Sequence, residues 1–130
     1  MQSRIIMAAA AIAMGIAGVA GLFAPQELLH ALGITAELVP TLLTQLTAAL
    51  FLGFAMVDWL AKDSLIGGIY NRPVSVGNLT HFAIGAITLI KAAASHATTP
   101  PLVAAAAIYT LFAIAFAMLV FGSGVKAEPS

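Results

Sequence analysis

Long apolar stretches separated by short polar ones set the pattern of this chain. Ile5 to Phe23, Val39 to Ala61 and Leu102 to Phe121 are each close to 20 residues long and carry few charges. A helix needs about 20 predominantly apolar residues to cross a hydrocarbon core about 30 Å thick, so each stretch predicts a membrane span. A fourth stretch, Leu79 to Ser95, is weaker, because His81 and Lys91 leave only Phe82 to Ile90 as an uninterrupted run. It still counts as a span, since Lys91 near one end can extend its stem toward the headgroups. The predicted fold is all-α: one transmembrane domain over residues 1–130, an antiparallel four-helix bundle with spans at about 5–23, 39–61, 79–95 and 102–121.

The connections add detail. Ala24 to Ile34 has Pro25 at a helix start and Gly33 just past its end, with Glu27 in the first turn, where it suits the helix dipole. Leu28, Leu29 and Leu32 fall on one side, so this segment predicts a short amphipathic helix on the outer surface, either a structural re-entry element or a lid. Asp63 to Asn78 holds Gly67, Gly68, Asn71, Pro73 and Gly77, which predict a loop. Tyr70 and Arg72 would anchor it at the headgroups, and Asn78 or Thr80 would cap the third span. Pro100-Pro101 fixes the start of the fourth span. The tail from Gly122 to Ser130 is polar and short.

Charge gives the orientation. With four spans, Arg4, Lys62, Arg72 and Lys126 fall on one side and Lys91 alone on the other, so the excess of basic residues places both termini in the cytoplasm. The start of the chain also has features of a secretory signal: Arg4, an apolar run, and Gly18-Val19-Ala20 where a peptidase prefers small residues. The run is longer than the usual core of about 7–15 residues, and Pro25 disfavours cleavage after Ala24, so retention as the first span is the expectation.

Composition narrows the function. Apolar residues make up 62% of the chain and charged residues only 8%, with a mean hydropathy of +1.06. Soluble domains carry roughly 45–50% apolar and about 25% charged residues, so this is the composition of a polytopic membrane protein. Five basic residues balance five acidic ones, which gives no positive field for nucleic acid. The absence of cysteine excludes disulfides, thiolate metal sites, iron–sulfur clusters and thiol redox chemistry.

Polar groups inside spans are the functional pointers, because each is costly unless paired. The first span has none there; its Ala8, Ala11, Gly15 and Gly18 form a small-residue stripe suited to helix packing. The second carries Gln45, whose amide needs a partner across the bundle, and a face of Thr44, Ala48, Phe51, Ala55 and Asp58, with Lys62 one turn beyond the acid. In the third, His81, Gly85, Thr88, Ala92 and Ser95 share a face, which is expected to point inward and to bring His81 to the depth of Asp58. A candidate ligand site is therefore Gln45, Asp58, His81 and Thr88. No cofactor is expected. His81 and His96 are 15 residues apart, about 22 Å along one helix, so they cannot share a metal. His30 and His96 could meet outside, with no third ligand evident beyond Glu27 or Glu37. Tyr109 and Thr110 in the fourth span suggest packing and lipid contact.

Small multidrug exporters are four-span chains of similar length, but that resemblance would imply a glutamate embedded in the first span, and none is there. The order Leu22-Phe23-Ala24-Pro25, Leu28-Leu29, Leu32-Gly33-Ile34, Leu52-Gly53, Trp59-Leu60-Ala61-Lys62 and Gly77-Asn78-Leu79 with His81 resembles small four-span bacterial membrane proteins, distantly similar to the DoxX-like group. The resemblance covers Arg4 to Phe121 and carries no catalytic set. It implies a bacterial inner-membrane protein, and some DoxX-like relatives are associated with redox or quinone-linked complexes. Two functions follow as expectations. The first is a non-enzymatic accessory or assembly subunit, contacting membrane lipids and joining a homo-oligomer or a larger complex. The second is a transporter or binder of a small apolar molecule, a lipid or quinone, between the second and third spans. Asp58 and His81 alone do not assemble an enzyme.

Overall fold

The computed structural model describes residues 2–64, 71–95 and 99–122, and of Asn71 the backbone alone. Among them the chain is helical, with no strand: α1 (Gln2–Phe23), α2 (Pro25–Ala31), α3 (Leu38–Ala61), α4 (Asn71–Ser95) and α5 (Pro100–Gly122). Four of the five, all but α2, are long and apolar enough to cross a membrane. The chain divides into two compact units, the first holding α1, α2 and α3 and the second α4 and α5. Gly67, Gly68, Tyr70, His96 and Lys126 lie outside the described residues.

In the first unit α1 and α3 run antiparallel at close range. A Cβ at Gly15 would meet Ala55, one at Gly18 would meet Ala48 and Leu52, and one at Gly21 would meet Ala48 and Thr44, so positions rise along α1 as they fall along α3. Small residues on both sides allow this approach. Pro40 sits in the first turn of α3, where its missing N–H removes no helical hydrogen bond.

Between these helices α2 starts with Pro25 and ends in a Schellman motif. Ile34 N–H donates to Leu29 O (2.9 Å) and Gly33 N–H to His30 O (3.0 Å), which requires the left-handed backbone of Gly33, φ +73°. Leu29 is buried and α2 contacts α3, whereas Leu28 and Leu32 are exposed. The three leucines expected to share one role therefore divide. With 3.6 residues per turn, adjacent leucines point about 100° apart, and of the three only Leu29 is buried.

The second unit corrects the expected loop. Asn71 to Asn78 is helical, so α4 begins eight residues before Leu79 and reaches 25 residues. Pro73 falls in the first turn, where proline is tolerated. Asn78 and Thr80 do not cap the helix; Asn78 Nδ2 donates to Val74 O (3.0 Å) and Thr80 Oγ1 to Val76 O (2.9 Å), each one turn back. These bonds return side-chain protons to carbonyls of the same helix, which continues through Gly77 and Asn78 against residue propensity, with Ser75 and Asn78 on its buried face.

Candidate functional site

Each unit presents one candidate. In the second unit the site grows from the rotation of α4. Its buried face is Ser75, Asn78, Phe82 and Ala86, not the His81, Gly85, Thr88, Ala92 and Ser95 stripe expected to turn inward. His81 and Gly85 are half-buried at the edge of that face, while Thr88 and Ser95 are exposed. The hydroxyl of Thr88 donates to Ile84 O (2.8 Å), and that of Ser95 donates to Lys91 O. Both hydroxyls are satisfied within the helix, so nothing pulls them inward, whereas burying the large Phe82 side chain is strongly favourable.

Phe82 is the centre of an aromatic cluster with α5. Its ring stacks on Phe112 at 4.8 Å between centroids and lies 5.8 Å from Phe116, with Tyr109 edge-on at 5.2 Å. These spacings fall in the range of favourable aromatic pairs. The Tyr109 ring occupies the place a Cβ at Gly85 would take. That close approach brings the phenol oxygen to 3.2 Å from His81 Nε2, a hydrogen bond in which the phenol donates when that nitrogen carries no proton. A His81–Tyr109 pair walled by phenylalanines holds α4 against α5 and offers a polar point on an apolar helix pair. The sequence reads Tyr109 as packing, and its place in this cluster is signalled by the i, i+3, i+7 spacing of Tyr109, Phe112 and Phe116 on one helix face.

In the first unit Asp58 is fully buried on α3, on the same face as the buried Ala48 and Ala55, with Thr44 and Phe51 half-buried. Lys62 Nζ donates to Trp59 O (3.1 Å) and lies 4.0 Å from the centroid of the Trp59 ring, a cation–π contact. Gln45 Nε2 donates to Leu22 O on α1 (3.4 Å). Asp58 and Gln45 thus belong to the first unit, and His81 and Thr88 to the second. Ala11 and Gly18 are buried, and Ala8 and Gly15 half-buried; the two glycines face α3 of the same chain.

Above these contacts an open groove of about 330 Å³ is lined by Ala17, Ala20 and Gly21 of α1, Leu28 of α2, and residues of α3 from Leu43 to Phe51. Its two hydroxyls are already committed, Thr44 Oγ1 to Pro40 O and Thr47 Oγ1 to Leu43 O, both at 2.8 Å. The walls therefore present hydrocarbon. Among the described residues, no group of three or more His, Asp or Glu side chains is placed to hold a metal, and the external pair of His30 with His96 involves a residue outside them. No family model, curated protein or solved structure matches the chain.

Proposed function

We propose that this chain is a small integral membrane protein whose four long helices form an antiparallel bundle with both termini in the cytoplasm, and that it works as a non-enzymatic accessory or assembly subunit. The membrane reading is supported by large apolar side chains left exposed on every long helix, among them Phe23 at 80%, Leu60 at 74% and Phe121 at 75%. Water would penalise such a surface, and lipid would not. A place in a bacterial inner membrane, beside DoxX-like proteins, belongs to the same proposal.

One observation carries the assembly reading. Gly53 of α3 has no atom within 4 Å of the place a Cβ would take, and exposed Ala49 lies one turn before it. A small-xxx-small face on a long helix, with nothing of its own unit against it, supports close association with another helix. Gly15 and Gly18, the other small residues of this kind, are engaged with α3 of their own chain. The test is the native mass of the full chain in nanodiscs, with and without crosslinking. Wild-type chains should appear as oligomers or with a protein partner, and Gly53→Leu should shift them to monomer. A wild-type chain that is monomeric and yields no crosslinked partner would refute the reading.

A second reading, binding of a small apolar molecule such as a lipid or quinone, is favoured by the groove of the first unit. It moves the ligand away from Gln45 and Thr88, whose polar groups already bond to Leu22 O and Ile84 O. Stabilisation by an apolar ligand rather than by protein would separate the two readings.

A further inference from the structure

We propose that the groove between α1, α2 and α3 is a binding site for one acyl chain of a membrane phospholipid. This rests on the membrane reading above and gives the second reading its place and its ligand. The groove spans Leu43 to Phe51 along α3, eight residues or about 12 Å. Spread over that length, its volume of about 330 Å³ leaves room beside the helices for a hydrocarbon chain with carbon contacts at about 4 Å.

Length and chemistry point the same way. One leaflet of the hydrocarbon core is about 15 Å deep, so a groove about 12 Å long takes a chain from a single leaflet. It starts at the end of the unit where α1 finishes and α2 lies, with Leu28 of α2 forming part of the wall. The polar, exposed residues of α2, Gln26, Glu27 and His30, mark that end as the headgroup side. Inside the groove Thr44 and Thr47 have spent their hydroxyl protons on backbone carbonyls, so a ligand with a polar ring would gain no donor there. Ala17, Ala20 and Gly21 hollow out the α1 wall. At Gly21 even a Cβ would meet Ala48 Cβ at 2.9 Å, but Ala17 and Ala20 are exposed and accept larger side chains without disturbing the helix pair.

The experiment reconstitutes the full chain in vesicles of dioleoyl phosphatidylcholine, extracts it in mild detergent and records native masses. The wild type should retain one phospholipid per chain. An Ala17→Leu/Ala20→Leu double variant fills the groove, and overpacking costs of the usual size correspond to a roughly ten- to hundredfold loss of retention. Thr47→Leu fills it from the α3 side and guards against a folding defect of the double variant. Ala9→Leu, on an exposed α1 position outside the groove, should retain lipid as the wild type does. Equal retention by filled and wild-type chains, a bare wild-type chain, or a free fatty acid in place of phospholipid would each overturn the proposal while leaving the membrane reading intact. A chain that stays monodisperse in detergent-free buffer and ignores vesicles would sink both.

Discussion

Replacing Gly18 by alanine adds one methyl group where α1 meets α3. That Cβ would lie 2.7 Å from Leu52 Cγ and 2.9 Å from Ala48 O; carbon atoms pack at about 3.5–4.0 Å and carbon against oxygen at about 3.3 Å, so the overlap is close to 1 Å with Leu52 and about 0.4 Å with the carbonyl. The Leu52 side chain can turn aside. The Ala48 carbonyl is helix backbone and cannot, so α1 must move away from α3 and loosen the contacts at Gly15 and Gly21. Overpacking of this kind costs about 1–3 kcal/mol. Alanine also has the better helix propensity by about 1 kcal/mol, which would mask part of the loss. Gly53→Ala supplies the correction, since it carries the same propensity gain at a position with open space. The quantity to measure is therefore the stability difference between the two variants, expected at about 1–3 kcal/mol in favour of Gly53→Ala. Reversible unfolding in mixed detergent micelles, followed by far-ultraviolet circular dichroism at dilutions that hold one chain per micelle, reads it directly. A Gly18→Ala chain as stable as Gly53→Ala would refute the close-packing argument.

Three further outcomes are expected. Gly85→Ala should destabilise the α4–α5 pair by about 1–3 kcal/mol, because the new Cβ collides with the Tyr109 ring, and the cost should shrink in a Tyr109→Leu background in a double-mutant cycle. Tyr109→Phe keeps the ring stack and removes the hydrogen bond to His81, so the same unfolding assay should show a loss of about 0.5–1.5 kcal/mol. Gly33→Ala forces a side chain into the left-handed region at a cost of about 1–2 kcal/mol, and hydrogen exchange at the Gly33 and Ile34 amides should speed up while the four long helices are unchanged.

How far the sequence carried the fold is seen best in α2 and α4. Pro25 and Gly33 marked both ends of α2, because each acts through its own backbone: proline presets φ at a helix start, and glycine accepts the left-handed turn that closes the Schellman motif. The start of α4 was misplaced for the opposite reason. Gly77 and Asn78 are poor helix formers locally, and the helix runs through them with the Asn78 amide bonded one turn back to Val74 O, a contact that local propensity does not show. On α3 the face from Thr44 through Ala48 and Ala55 to Asp58 was legible from its 3.6 spacing, and the structure buries Ala48, Ala55 and Asp58 there.

Sequence alone determined that four long apolar stretches and one short segment are helical, though not where α4 starts, because the length of an apolar run is a local property. Tertiary structure decided rotation and contact. The polar face of α4 does not orient it, because the Thr88 and Ser95 hydroxyls bond within the helix, and Phe82 rather than Thr88 is buried where aromatic rings of α5 stack on it. Gly18 and Gly53 read alike in the chain. One lies against a backbone carbonyl of α3 and the other against open space, a difference that exists only once α1 and α3 have packed.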